Sequence, residues 1–313
     1  MNKEFGSLER LDLREVWRKE PSEFTPWLAN NLTSLGRALG MDLELISREV
    51  AVGDFSLDLL ARDVGRDRLV VVENQLDRTN HDHLGKLLTY AAGNNAAVVI
   101  WVAAEIREEH RQALDWLNQH TDSDIEFYGV VVELLRIDDS RPAYNFRAVA
   151  LPNEWRKTNI TGRQTTEKGE AYRDFFQQLI DELREQHKFT GARAAQPQSW
   201  YGFAAGTSGV RYVAAFTQAG RFKAEVYVDR GDAAQNKALF DQLAQDKASI
   251  ESQFGEPLEW ERLDQKQACR VVISRPGRID EPPDSLVDVR KWAIEKLVKL
   301  KKVFGPRLSK LAE

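Results

Sequence analysis

The sequence predicts a mixed α/β protein: an N-terminal domain with a core in the order α-β-β-β-α-β, followed by a second α+β domain whose sheet is largely antiparallel. Three observations support this fold class. Apolar residues recur at helical spacing through residues 24–39, ahead of three strand-like runs. Residues 97–103, AVVIWVA, are apolar throughout, as in a strand buried on both faces. A polar stretch near residue 160 separates this pattern from a second set of helical and strand-like segments.

The length of 313 residues is sufficient for two medium domains. We expect the first domain at residues 1–156, a linker at 157–167 and the second domain at 168–313. The linker, KTNITGRQTTE, has no apolar periodicity. The one cysteine, Cys269, excludes an intramolecular disulfide and a zinc site built from several cysteines, and it is expected in the core.

The first domain is expected to open with a short strand at residues 11–16. Thr25 and Pro26 fit an N-cap and a first helical residue, and Gly40 is placed to end the helix that they begin. Alternation, apolar runs and breaker residues then predict strands at 43–52, 55–61 and 68–74, a helix at 83–92 capped by Thr79 or Asn80, a strand at 97–103, a helix at 106–117, and strands at 125–137 and 144–150.

The second domain is expected to begin with a helix that starts near Tyr172. The segments predicted after it are strands at 200–206, 209–216 and 222–229, a long helix at 233–254, strands at 258–263 and 268–275, and a final helix at 286–304. In outline this order repeats that of the first domain, which suggests an ancient duplication. Glu225 would then correspond to Glu73, without an acid in 210–216 to partner it. A plain antiparallel sheet covered by helices explains the pattern equally well.

Two acids interrupt apolar strands of the first domain. Asp58 lies between leucines in the run at 55–61, and Glu73 ends the run LVVV. Carboxylates are rarely buried unless they are paired or bind a metal. If the two strands are neighbours, the acids converge and repel each other by roughly 1–4 kcal/mol at about 4 Å. A hard cation, Mg²⁺ or Mn²⁺, would remove that repulsion.

This stretch resembles the PD-(D/E)XK nucleases, in particular the branch with RecB-like and archaeal mismatch-endonuclease domains. The matching features are Asp58, the sequence Glu73-Asn74-Gln75 that begins fifteen residues later, and a helix that carries Tyr90. The resemblance implies a restriction-endonuclease-like fold, with Asp58, Glu73 and the Asn74 backbone carbonyl as metal ligands and Tyr90 in support. The C-terminal half resembles an uncharacterised domain found fused to such nuclease-like halves.

Two residues depart from the family pattern. Gln75 stands where the family has its lysine, and Lys86 stands where the helix usually has glutamine. The family lysine orients the attacking water and stabilises negative charge, whereas a neutral glutamine can only hydrogen-bond that water. Lys86 lies one turn before Tyr90 on the same helix face, so it could supply the missing ammonium. We therefore assign catalytic roles to both Gln75 and Lys86 as hypotheses.

Residues outside this motif offer candidate nucleic-acid contacts. His81 and His83 point about 200° apart on a helix, so they are not expected to share one metal ion. His83 could instead contact a phosphate at the helix N-terminus. Lys299, Lys301 and Lys302 belong to a basic run in the last helix, which fits either a solvated face or a phosphate-binding surface. Trp200 and Tyr201 fit a base-stacking platform or, more often for residues that enter a strand, the core.

These observations predict a metal-dependent nuclease, and the resemblance favours DNA over RNA. Restriction, phage defence and repair are the roles that the resemblance suggests. The alternative is a catalytically inactive nuclease-like module that binds nucleic acid or serves in assembly. A net charge of −5 excludes a globally basic nucleic-acid binder, and no glycine-rich phosphate loop, Gly-x-Ser-x-Gly or zinc motif supports a small-molecule enzyme.

The sequence also suggests the localisation of the protein and its partners. The first residues lack a signal-peptide core and no apolar run is long enough to cross a membrane, so we expect a soluble cytoplasmic protein without membrane contact. Nucleases that cut both strands often dimerise, so a homodimer is one expected assembly. The second domain is expected to recognise the substrate or a partner.

Overall fold

A computed structural model of the protein describes residues 5–53, 55–122, 124–152 and 166–311. The contacts within the chain divide these residues into two compact units. The first comprises residues up to 39, 45–63 and 68–152, and the second comprises 40–44, 64–67 and 166–311. Residues 157–165 of the expected linker lie outside the described residues. Thr166 caps the helix that follows, and Glu167 begins it.

The first unit contains a mixed sheet of seven strands. Its strands are β1 (Leu8–Leu11), β2 (Leu43–Val52), β3 (Phe55–Asp63), β4 (Arg68–Arg78), β5 (Val98–Glu105), β6 (Glu126–Ile137) and β7 (Ala143–Ala150). The order across the sheet is β1-β6-β5-β4-β3-β2, and β7 also pairs with β6. Strands β4, β5 and β6 are parallel, whereas β3 pairs with β4 antiparallel. The apolar runs of β4 and β5 are buried because helices cover this part of the sheet.

The described residues of this unit form the α-helices α1 (Thr25–Asn30), α2 (Leu32–Leu39), α3 (His81–Gly93) and α4 (Glu108–His120). Helix α3 is the crossover between the parallel strands β4 and β5. Its residues Leu87 and Tyr90 enter a core that includes Val71 and Trp101 of those strands. This packing holds one face of α3 against the middle of β4, where Glu73 lies.

The sequence predicts the order of the strands correctly, and it is wrong in three details near the N-terminus. The helix expected to end at Gly40 is divided at Asn31 into α1 and α2. The first strand is at Leu8–Leu11 rather than 11–16, because Asp12 caps a short 3₁₀ turn at Leu13–Glu15. Thr25 is not a helix N-cap, because a π-turn at Glu20–Phe24 runs directly into α1. The Thr25 hydroxyl instead accepts a hydrogen bond of 3.0 Å from the Asn74 side-chain amide.

The second unit is an antiparallel sheet with helices on one face. Its helices are α5 (Glu167–Glu185), α6 (Ala233–Gln245), α7 (Lys247–Phe254) and α8 (Pro283–Lys310), and its strands are β8 (Trp200–Ala204), β9 (Val210–Phe216), β10 (Arg221–Val228), β11 (Glu259–Glu261) and β12 (Cys269–Pro276). The order is β11-β12-β10-β9-β8, and each strand pairs antiparallel with its neighbours. The mixed sheet of the first unit has a different topology, which is evidence against duplication and supports the simpler antiparallel arrangement.

The core of the second unit lies between this sheet and the helices α5 and α8. Cys269 is fully buried there as a free thiol, and Tyr201 is buried in the same core. Both residues therefore have the core positions that the sequence favours. The long helix expected at 233–254 is divided at Asp246, which ends α6 and precedes α7. Within the described residues, no helix has the length and apolar character required to cross a membrane.

Candidate metal centre

Asp58 and Glu73 meet at the end of the β3–β4 pair. Leu59 lies opposite Val72, and one further step of the same register brings Asp58 opposite Glu73. The Asp58 carboxylate accepts a hydrogen bond of 2.8 Å from the Asn74 backbone amide. The Asp58 backbone amide is close enough to the Glu73 carboxyl group to lower its pKa. The two acids therefore lie side by side on the paired strands.

Both acids are placed where ionisation is unfavourable. Burial raises the pKa of Asp58 above its ordinary value, and the nearby Glu20 raises it further. Burial also raises the pKa of Glu73, to which the Asp58 charge adds a second upward contribution. Glu73 is only 3% exposed, and its Oε2 atom is buried without a hydrogen-bond partner. An unpartnered carboxylate oxygen beside a second carboxylate is a site that a cation would stabilise.

The donor set suits a hard cation with few protein ligands. The described part of the chain contains no group of three histidine, cysteine or acidic side chains arranged to hold a metal ion. A cation here would thus rely on two carboxylates, the expected backbone carbonyl of Asn74, and water. Mg²⁺ often binds proteins through one or two carboxylates and retains several waters. The Asn74 carbonyl as a ligand stays a prediction, whereas the Asn74 side chain is committed to Thr25.

Glu20 is a third acid near the pair, which sequence reasoning missed. It accepts a hydrogen bond of 2.5 Å from the Leu76 backbone amide on β4. Its charge raises the pKa values of Asp58 and Glu73, so it lies close to both. Glu23, the second acid of the same turn, is directed elsewhere, because its carboxylate accepts a hydrogen bond of 2.7 Å from the Arg18 backbone amide. Only the π-turn at Glu20–Phe24 decides which acid faces the site, and no periodicity in the sequence signals that turn.

Lys86 is the cation that faces these acids. Its ammonium group lowers the pKa values of Glu20, Asp58 and Glu73, and it also lowers the pKa of His83. A single positive charge therefore acts on all three carboxyl groups from helix α3. A catalytic role for Lys86 stays a prediction.

Gln75 is directed into the protein interior. Its side-chain amide donates to the Arg78 backbone carbonyl at 2.9 Å, and its carbonyl oxygen accepts from the Trp101 indole at 3.1 Å. Gln75 is only 3% exposed. Both ends of the side chain are therefore engaged in buried contacts, so this geometry gives no support to Gln75 as the group that positions water.

Tyr90 holds the strand that carries Asp58. Its hydroxyl donates a hydrogen bond of 2.8 Å to the backbone carbonyl of Ser56, two residues before Asp58. Burial raises the pKa of Tyr90 to about 12, with further upward contributions from Glu73 and Asp58. Tyr90 is thus a neutral donor that holds β3 in place, whereas its role in catalysis stays a prediction.

The two histidines at the start of α3 have different partners. His83 Nε2 lies 3.9 Å from Glu73 Oε1, and its Nδ1 contacts Asn80 at 2.9 Å. Burial lowers the pKa of His83. His81 instead contacts His110 at 3.1 Å between ring nitrogens. The two rings therefore do not share a site, and His83 is the one beside the acids. Its contact with a phosphate stays a prediction.

The three lysines proposed to bind nucleic acid do not share one environment. Lys299 forms an ion pair of 2.9 Å with Glu295. Lys301 donates a hydrogen bond of 2.6 Å to the Phe189 backbone carbonyl and lies over the Phe189 ring. Lys302 is exposed. Two of the three ammonium groups thus already have partners within the chain, and a phosphate-binding role for the set stays a prediction.

Comparison with known proteins shows that part of the second unit matches a family of unknown function. Residues 171–308 match the family model described as domain of unknown function DUF4268. No curated protein matches the chain. Among solved structures, the chain is similar to a repair endonuclease from Pyrococcus abyssi, with 17% identity and a TM-score of 0.27 over 32% of this chain and 44% of that one. It is also similar to a chain in a complex of EndoMS with dsDNA, with 18% identity and a TM-score of 0.27 over 34% and 43%.

The chain thus spans less than half the length of either solved structure. Similarity of this extent does not assign a function to the chain. What the sequence and geometry provide is a mixed α/β unit with a buried pair of acids, joined in the same chain to a unit most of which matches a family of unknown function.

Proposed function

We propose that the protein is a nuclease that hydrolyses phosphodiester bonds with the aid of a divalent cation, Mg²⁺ or Mn²⁺, and that DNA is its substrate. The observation that carries the proposal is the adjacent pair of buried acids Asp58 and Glu73, in which the Glu73 Oε2 atom has no hydrogen-bond partner. Buried acids that repel each other reduce stability, and such groups are often found at functional sites. The resemblance of the motif to PD-(D/E)XK nucleases supports the choice of reaction.

Asp58 and Glu73 would hold the cation, together with the Asn74 carbonyl. When bound, the cation would activate water and stabilise negative charge on the phosphate. The residues of the chain do the remaining work. The Asn74 amide fixes the Asp58 carboxylate at 2.8 Å, and Tyr90 anchors the backbone two residues earlier. Preorganised ligands of this kind need little rearrangement during the reaction.

Lys86 would stabilise the charge that develops on the phosphate. Its ammonium group lowers the pKa values of the three acids, which supports this role because the charge lies close to the site. A flexible lysine side chain can follow a phosphate oxygen as a point charge. Glu20 adds negative charge near the cation and fixes the end of β4 through the Leu76 amide.

A second candidate function is a catalytically inactive module that binds nucleic acid. The buried position of Gln75 favours this alternative, because the residue at the family lysine position has a structural role here. The matched unit at residues 171–308 would then contribute recognition of substrate or partner. Cation binding without cleavage of any nucleic acid would support this second function.

Cleavage assays test the proposal directly. The purified chain is incubated with plasmid, linear duplex and single-stranded DNA, and with RNA, in Mg²⁺, Mn²⁺ or chelator. We expect cation-dependent cleavage of DNA that Glu73→Gln and Lys86→Gln each reduce by at least about 100-fold. Glu109→Gln, which changes an exposed acid on α4, is the matched control and should retain activity. Equal cleavage by the Glu73→Gln variant would contradict the proposal.

A further inference from the structure

The second sheet has a face that its helices do not cover. One face packs on α5 and α8, with Tyr212, Ala214 and Val226 in the core. Residues at alternate positions point to the other face. There they line a groove of about 440 Å³, within the size range of small-molecule sites. The groove residues used below are Trp200, Arg211, Val213, Ala215, Lys223, Glu225 and Tyr227.

A buried carboxylate lies in the middle of this groove. Glu225 is only 3% exposed, and Lys223 donates to its two oxygens at 2.9 and 2.8 Å. Arg270 approaches the same carboxylate at 4.0 Å. Burying such a pair costs several kcal/mol of desolvation, and well-packed apolar side chains often replace it without loss of stability. A ligand that uses the carboxylate would explain why charged groups occupy this position.

The strand pairing arranges the groove in three successive rows. At one end Trp200 lies opposite Ala215, which in turn lies opposite Lys223. The middle row pairs Val213 with Glu225, and the far row pairs Arg211 with Tyr227. Rows two residues apart along a strand are separated by about 6.6 Å. The groove therefore offers an indole, then a carboxylate, then a guanidinium and a phenol, over a total of about 13 Å.

This order matches the parts of one class of molecule. We propose that the groove binds a ribonucleoside, either free or as part of a larger ligand. The base lies over Ala215 against Trp200, because aromatic side chains stack on nucleobases of any sequence. The Glu225 carboxylate accepts hydrogen bonds from the ribose hydroxyl groups, as acidic residues do in dinucleotide-binding sites. The 5′ end of the ribose then points toward Arg211 and Tyr227.

The charges of the groove indicate that the nucleoside, rather than a phosphate, is the recognised part. Lys223 faces Glu225, and Arg211 forms an ion pair of 3.3 Å with Asp67, which belongs to the same unit. Each of these cations already faces a carboxylate, so a phosphate would have to compete for it. The groove residues at 200–227 lie within the segment matched by the family of unknown function. This inference is independent of the proposed nuclease activity.

Calorimetric titration of the full chain tests the inference. The probes are adenosine, guanosine, cytidine and uridine, their 2′-deoxy counterparts and their 5′-monophosphates. At least one ribonucleoside should bind with a Kd below about 1 mM, at least about tenfold more tightly than its 2′-deoxy counterpart. The monophosphate should bind within about threefold of the nucleoside. This comparison uses the unaltered chain, so it does not depend on the folding of a variant.

Variants then locate the site. Glu225→Gln should reduce the preference for the ribonucleoside over its 2′-deoxy counterpart to less than about threefold. Trp200→Leu should weaken the binding of both compounds by about tenfold or more. Glu259→Gln, which changes an exposed acid on the edge strand β11 of the same sheet, should leave binding unchanged. The inference is overturned if no ribonucleoside binds, if the deoxy compounds bind equally well, if only the monophosphates bind, or if Glu225→Gln and Trp200→Leu leave the titrations unchanged.

Discussion

Gln75 shows how a residue that aligns with a catalytic motif can have a structural role. By resemblance, Gln75 stands at the lysine position of the PD-(D/E)XK motif, whereas in the structure it bridges the Trp101 indole and the Arg78 carbonyl. The sequence could not reveal this, because the bridge depends on the register of β4 against β5. Asp58 and Glu73 were predictable, since isolated acids in apolar strands are costly without a task.

Replacing Gln75 separates the structural role from a catalytic one. Gln75→Leu leaves the indole N–H and a backbone carbonyl unpaired, so we expect the free energy of unfolding to fall by about 1–3 kcal/mol. Under conditions in which the Gln75→Leu variant is folded, its cleavage rate should stay within about threefold of that of the unaltered chain, because Lys86 supplies the positive charge at the site. Urea denaturation and cleavage assays on the same preparations measure both effects. Loss of cleavage with unchanged stability would restore Gln75 as a catalytic residue.

The raised pKa of Glu73 predicts how stability depends on pH without divalent cations. Its pKa is raised from 4.5 to about 9, so the folded state holds this proton more tightly than the unfolded state. The contribution is fully present below pH 4.5 and is lost as the pH rises toward about 9. Each unit by which the pKa in the folded state exceeds the pKa in the unfolded state corresponds to about 1.4 kcal/mol in the free energy of unfolding. We therefore expect the free energy of unfolding to decrease with pH across this interval.

The Glu73→Gln variant isolates this contribution, because glutamine resembles the protonated acid and does not titrate. Urea denaturation in chelator at pH values between 5 and 9 should show a shallower decrease for this variant than for the unaltered chain. Glu109→Gln should keep the original pH dependence. Parallel curves for the unaltered chain and Glu73→Gln would show that Glu73 ionises normally.

Element boundaries followed from local signals wherever such signals exist. The bounds of β2, Leu43–Val52, agree with the prediction from alternation, and Asn80 caps α3 as one of two expected residues. The interruptions at Asn31 and Asp246 were missed, because neither residue is a glycine or proline and the apolar pattern continues across both. Tertiary packing, rather than local propensity, places these breaks.

The β8–β9 turn offers a matched pair of glycines in the left-handed region. Gly206 has φ +81°, and a Cβ added there would meet open space. Gly209 has φ +73°, and its Cβ would lie 2.7 Å from the Arg230 Cα. Gly206→Ala should therefore lower the free energy of unfolding by about 1–2 kcal/mol, and Gly209→Ala by about 1–3 kcal/mol more. Urea denaturation compares the two, and equal losses would contradict the steric argument.

In the molecule as a whole, the two compact units are not two uninterrupted stretches of the sequence. Residues 40–44 and 64–67 group with the second unit, although they lie far from it in sequence. Neither the family resemblance nor the periodicity could reveal that these two segments group with the second unit, because the grouping depends on contacts between residues far apart in sequence. Asp42 is an example: its carboxylate accepts hydrogen bonds from the Thr190 hydroxyl at 2.5 Å and the Gly191 amide at 2.9 Å.

Removing the Asp42 carboxylate tests this long-range contact. Asp42→Ala should lower the free energy of unfolding by about 2–4 kcal/mol, because two buried donors lose their acceptor. Amide hydrogen exchange at Gly191 and Ala192 should become faster. Asp82→Ala, an exposed acid on α3, is the control and should leave these amides unchanged. If exchange at residues 190–192 does not respond to Asp42→Ala, these contacts do not hold the segment.

A cation site formed by Asp58 and Glu73 can be measured by calorimetry, with Mn²⁺ titrated into the chelator-treated full chain. We predict a saturable heat with a Kd below about 1 mM for the unaltered chain and for Glu109→Gln. Asp58→Asn and Glu73→Gln should each abolish that heat, because each leaves one ligand carboxylate and Glu20 is bonded to the Leu76 amide. If the unaltered chain gives no saturable heat, or if either variant gives the same heat, Asp58 and Glu73 do not form a shared cation site.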